Sequence, residues 1–152
     1  MQLSGNKRIL ASVDTVYRLL TDPDVLMRTM PGLKTLTPTP DGKYAAEMEM
    51  GVAAIKGKYQ GSMEMVDPQP PHSYRLVMTG QGPGGYVEVN MTVEIVPDGE
   101  SSTVRYNGEV VVGGTIASLG QRVFTGVANY LVNQFFAAIA KEAERQDDRK
   151  VE

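Results

Sequence analysis

The chain has 152 residues, 41% of them apolar, with no cysteine, one histidine and a net charge of −3 at pH 7. That length fills one hydrophobic core and is short for two domains. Without cysteine there is no disulfide framework, thiolate zinc site, iron–sulfur cluster or thiol nucleophile, which fits a cytosolic compartment. An acidic balance without a basic cluster excludes a nucleic-acid footprint.

Met1 to Leu10 alternates polar and apolar residues with no continuous apolar run, so a first strand over Gln2–Leu10 is expected and not a secretory signal. Ser12 caps a short helix whose Val13, Val16, Leu19 and Leu20 recur at helical spacing. Asp22-Pro23 ends it and opens a second helix over Asp24–Met30, which Pro31-Gly32 stops. Six strands are then predicted in succession, near Leu33–Pro38, Lys43–Val52, Ile55–Val66, Tyr74–Gln81, Tyr86–Val96 and Thr103–Gly113.

Side chains alternate between faces along a strand, so a turn fixes which residues share a face. A turn on Ala53-Ala54 sets Met48 opposite Tyr59, Met50 opposite Gly57 and Tyr44 opposite Met63 on an apolar side, with Glu49 opposite Lys58 on a wet side. Asp98-Gly99, a two-residue hairpin signal, sets Val93 opposite Val104, Met91 opposite Tyr106 and Val89 opposite Gly108. That register leaves one mismatch, Glu88 opposite Glu109.

From Ile116 to Arg145 the period becomes helical, with Ile116, Leu119, Val123, Val127, Leu131, Phe135 and Ile139 as the inward stripe. Residues 123–140 carry no charge, near the length of a membrane span, but Thr125, Asn129, Asn133 and Gln134 interrupt the run. Val132 and Phe136 fall on its outer side, against loops, a partner, a second copy or a membrane surface. An apolar sheet face and an apolar helix stripe must bury against each other. The expected fold is α+β helix-grip: a curved seven-stranded antiparallel sheet around a long C-terminal helix, over residues 1–145, followed by a charged tail over 146–152.

The inner face holds Ala46, Gly57, Gly61, Gly80 and Gly108. Glycine inside a strand bends it or leaves room for something to approach, and both readings stand. Met48, Met50, Met63, Met65, Met78 and Met91 share that face, and so many flexible, polarisable side chains beside gaps favour a soft apolar pocket. The expected lining is Met48, Met50, Tyr59, Met63, Met78, Met91, Tyr106, Gly108, Val123, Val127, Leu131 and Phe135, with Gln134 and tyrosine hydroxyls to meet a polar head.

Little here suggests catalysis or a metal. His72 follows Pro70-Pro71 in a turn, without a second histidine, and Glu47, Glu49, Glu64 and Glu94 fall on the wet face. Gly80-Gln81-Gly82-Pro83-Gly84-Gly85 has no following Lys-Ser or Lys-Thr and leads into a strand, so it reads as a hairpin tip whose functional role would be a flap over the pocket. No Ser/His/Asp arrangement forms.

Gly5, the run from Val13 to Pro23, Met30-Pro31-Gly32 and Gly113-Gly114-Thr115-Ile116-Ala117-Ser118-Leu119-Gly120-Gln121-Arg122 together resemble the G-subunit family of carbon monoxide dehydrogenase, within the START-like superfamily. The likeness runs to about Glu144. It implies a non-catalytic accessory protein of a molybdenum hydroxylase of the carbon monoxide dehydrogenase type, helping place it at the cytoplasmic face of the membrane. Members of that family often carry a membrane-binding tail. Arg145 to Glu152 is instead a charged run, so either the body of the protein meets the membrane or the chain is shortened. A hydrophobic small molecule is the expected ligand, a respiratory quinone of the menaquinone or ubiquinone type foremost, with no covalent cofactor.

Overall fold

The structure, a computed structural model, describes the backbone of residues 1–151 and side chains through Gln146. Most of the charged tail expected over 146–152 therefore lies outside the described side chains. In chain order the fold contains β1 (Gln2–Ile9), α1 (Val13–Thr21), α2 (Pro23–Thr29), β2 (Leu33–Pro38), β3 (Tyr44–Met50), β4 (Gly57–Gln69), β5 (Ser73–Gly82), β6 (Gly85–Asp98), β7 (Ser101–Gly113) and α3 (Gln121–Val151). Two 3-10 turns, Ala53–Ile55 and Thr115–Leu119, precede β4 and α3. The strands form one antiparallel sheet in the order β1-β7-β6-β5-β4-β3-β2. Across its inner face lies α3, a rod of roughly 46 Å at 1.5 Å per residue. This is the helix-grip architecture expected from the pattern of elements.

Local chemistry sets the helix starts. Ser12 Oγ accepts from the Thr15 N–H at 3.3 Å, and Asp22 Oδ1 accepts from the Asp24 N–H at 2.8 Å, with Pro23 in the first turn. Val16, Leu19 and Leu20 of α1 and Val25 and Leu26 of α2 are buried, closing one end of the sheet.

The β3–β4 register is as expected, pairing Met48 with Tyr59, Glu49 with Lys58 and Tyr44 with Met63. The β6–β7 register is not. The turn falls on Gly99-Glu100, with Gly99 at φ +64, so Ile95 faces Val104, Val93 faces Tyr106 and Met91 faces Gly108. Glycine with positive φ at the first central position is what a type II′ hairpin needs. The two-residue shift keeps every side chain on its expected face and removes the carboxylate mismatch, since Glu109 now faces Asn90 and Glu88 faces Val111.

The C-terminal half of α3 is the firmly held half. Ile139 and Ala143 are buried against the main core, which joins α1, α2 and strands β1, β5, β6 and β7. Arg28 of α2 places Nε and Nη2 each 3.1 Å from an oxygen of the buried Glu142, a two-pronged ion pair between α2 and α3. That bond is also what raises the Arg28 pKa. Nearer the N-terminus of α3, apolar side chains face a cavity.

Candidate functional site

Between the sheet and the N-terminal half of α3 lies a partly open cavity of about 310 Å³. Met48, Met50, Tyr59, Met63, Met78, Met91 and Tyr106 line it from the sheet, and Val127, Leu131 and Phe135 from α3. Met65, Tyr74, Leu76, Val87, Val89 and Val110 are also in the sheet wall, and Leu20, Leu26, Met30 and Pro31 wall the end nearest α1 and α2. Among the described residues, no acidic or basic side chain and no histidine lines the cavity.

Three of the expected lining residues are elsewhere. Val123 is 43% exposed and Gln134 is exposed, both on the outer side of α3, while Phe124 is buried and lines the cavity. Stepping by four residues advances about 40° around a helix of 3.6 residues per turn, so the ladder from Val123 to Ile139 drifts about 160° and cannot be one face. The inward face instead alternates steps of three and one through Phe124, Val127, Ala128, Leu131, Val132, Phe135 and Phe136. Val132 and Phe136, expected outside, therefore face the cavity, and Phe136 stacks on Tyr106 with ring centroids 5.8 Å apart.

Gly108 is the third. A Cβ there would come 2.7 Å from Met91 Cα on β6, and one at Gly61 would come 2.6 Å from the Thr79 carbonyl carbon on β5. At both positions glycine lets neighbouring backbones close up, the bending role. Gly80 is different: it lines the cavity, and a Cβ would meet nothing within 4 Å. Both meanings of strand glycine are present, at different positions.

The glycine-rich hairpin tip is tied down. Its Gly84 carbonyl accepts from the Ile116 N–H at 2.8 Å, joining the β5–β6 turn to the 3-10 turn before α3. Tyr59, Ile116 and Phe124 form a second buried cluster at this end, flanked by Met48, Met50 and Ile55. Three tips thus gather at one end of the cavity, and residues 50–55, 79–87 and 110–121 that build them carry no charge. His72 is exposed in the β4–β5 turn and is not a lining residue.

Polar side chains of the cavity wall are tyrosines and Thr79. The Tyr59 hydroxyl donates to the Ile55 carbonyl at 2.9 Å. Tyr106 reaches across Gly5 on β1. Tyr74, paired edge-on with Tyr17 of α1 at 5.8 Å, is 5% exposed. Burial raises the pKa of all three, and Tyr74 most strongly. Sequence reasoning omits Tyr74, although its period-two position opposite Val93 places it on the inner face.

The chain covers its structural relatives almost end to end. A conserved protein from Geobacillus kaustophilus is 34% identical, with a TM-score of 0.93 over 95% of this chain and 96% of that one. A START superfamily protein from Mycobacterium smegmatis is 14% identical, with a TM-score of 0.72 over 95% and 98%. A norcoclaurine synthase from Thalictrum flavumn is 17% identical, with a TM-score of 0.68 over 97% and 96%; the fold can therefore carry catalysis in another protein. No curated protein matches the sequence. The profile of the carbon monoxide dehydrogenase G-subunit family, CoxG, matches residues 5–144, and the chain belongs to that family.

Proposed function

We propose that the protein is a non-catalytic accessory of a molybdenum hydroxylase of the carbon monoxide dehydrogenase type. It holds a hydrophobic small molecule, a respiratory quinone of the menaquinone or ubiquinone type, and links the enzyme to the electron-transport chain at the inner face of the cytoplasmic membrane. The observation that carries this reading is a cavity of about 310 Å³ lined, among the described residues, by no charged or histidine side chain. That volume is at the lower end of small-molecule sites. Enclosing each methylene of an isoprenoid tail contributes about 0.8 kcal/mol before ordering costs. Methionines on the wall accommodate varied apolar shapes, and the uncharged tips suit contact with an apolar phase.

A cyclase or hydrolase on this fold would need a buried acid, base or nucleophile beside its substrate, and the lining offers only phenols and a threonine. Recruitment of the enzyme to the membrane without ligand transfer is the rival, favoured by Leu119, Val123 and Tyr130, which are 38%, 43% and 53% exposed. Electron transfer measured with purified dehydrogenase, quinone and this protein separates the two. Gly80→Leu and Met91→Trp, which fill the cavity, are expected to lower the rate while the wild type supports it. Equal rates with folded variants would leave recruitment as the function.

A further inference from the structure

Tyr74 forms none of the hydrogen bonds made among the described residues, although it is 5% exposed and lines the cavity. Two other polar groups of the wall are engaged. Tyr59 is bonded to Ile55, and Thr79 Oγ1 lies 2.9 Å from Ser62 Oγ. Tyr106, likewise without a hydrogen bond among the described residues, lies over Gly5 of β1 and stacks on Phe136. Tyr74 also sits near the end walled by Leu20 of α1 and Leu26 of α2, whereas the opposite end is built from Met48, Met50, Ile55 and Phe124.

We infer that Tyr74 is the polar anchor of the cavity: its hydroxyl donates a hydrogen bond to an uncharged carbonyl or ether oxygen at the ligand's head, while the hydrocarbon part runs toward the three tips. This rests on the ligand-binding reading above and adds a ligand class and an orientation to it. Tyr74 Oη keeps accessible surface although the residue is 5% exposed, so a ligand oxygen there takes over a hydrogen bond otherwise left to water. A carboxylate head is disfavoured because the lining holds no cation to face it, and an ammonium head because it holds no anion. Burial raises the Tyr74 pKa, so the phenol remains a donor through the physiological range.

Three matched probes test this by calorimetric titration of the intact protein: 2-acetylnaphthalene, the hydrocarbon 2-ethylnaphthalene, and 2-naphthoate at pH 8. In the wild type both neutral probes are expected to bind, with naphthoate weakest. Tyr74→Phe should weaken the ketone roughly 2- to 10-fold, the range set by one neutral hydrogen bond, and leave the hydrocarbon unchanged. Equal loss for both, or none for either, overturns the anchor while leaving the cavity reading intact. Failure of the wild type to bind either neutral probe overturns both. The infrared carbonyl stretch of bound 2-acetylnaphthalene gives a readout independent of the variant: a shift to lower frequency than in hexane supports the hydrogen bond, and an unshifted band overturns it.

Discussion

Tyr106 occupies the place of a side chain on Gly5. A methyl group at Gly5 would sit 2.7 Å from Tyr106 Cζ, and the same ring stacks on Phe136 of α3, so one aromatic residue joins β1, β7 and the helix. Gly5→Ala must push that ring toward Phe136 or out of the cavity wall. The expected cost is about 1–3 kcal/mol, typical of overpacking, visible as a lower denaturation midpoint. A midpoint equal to the wild type would show that the ring has somewhere else to go.

Gly80 and Gly108, both on the inner face, predict opposite outcomes. Gly80→Leu meets open space, so it should fold with near wild-type circular dichroism and melting while losing capacity for an apolar probe. Gly108→Leu drives its Cβ into the β6 backbone and should fail to give folded protein. If both fold, the close approach of β6 and β7 at Gly108 is softer than its geometry indicates.

For the α2–α3 ion pair, the side to remove matters. Side-chain exposure is 51% for Arg28 and 8% for Glu142. Glu142→Gln keeps the shape and leaves a half-exposed guanidinium; a fall in Tm of roughly 2–6 °C is expected. Arg28→Ala takes a principal partner from a buried carboxylate and should be the more damaging change. Thermal melts of the two variants decide the order.

Alkali should unfold the protein through its phenols. Burial raises the pKa of Tyr17, Tyr59, Tyr74 and Tyr106 in the fold, so the unfolded chain releases their protons first. Their contribution is complete below pH ~10, the ordinary tyrosine value, and declines as pH rises above it. Melting temperature against pH should be steeper above 10 for the wild type than for Tyr74→Phe, whose loss removes the most strongly shifted group.

Much of this architecture is legible in the sequence because period-two and helical patterns report faces directly. Met48, Met63, Met78 and Met91 are brought together as their alternation requires. Exact pairing is harder to read: Asp98-Gly99 resembles a type I′ turn, but Gly99 serves as the first turn residue, moving β7 by two positions. The like-charge pair Glu88–Glu109 is the visible sign of that misplacement. On α3, a ladder of fours looks continuous from Val123 to Ile139 yet winds around the rod, hiding Phe124 and Phe136. Whether a strand glycine bends or makes room depends on the neighbouring backbone, which no single-chain pattern records; Gly61 and Gly80 even face each other across β4 and β5. Tyr74 carries no motif, and its interest comes from an unused hydroxyl that only the folded surroundings reveal.

The division of the apolar interior into a main core and a small cluster at the tips has an evolutionary consequence. Ile9, Val16, Leu19, Leu20, Val104 and Ile139 are at most 2% exposed and belong to the main core, so truncating them leaves unfilled space at a cost of kilocalories. Met48, Met50 and Met78 face a void instead, and exchanges there forfeit fewer contacts. Descendants of such a scaffold can drift in what they carry while remaining folded, so sequence divergence around the cavity should outpace divergence beneath α1 and α2.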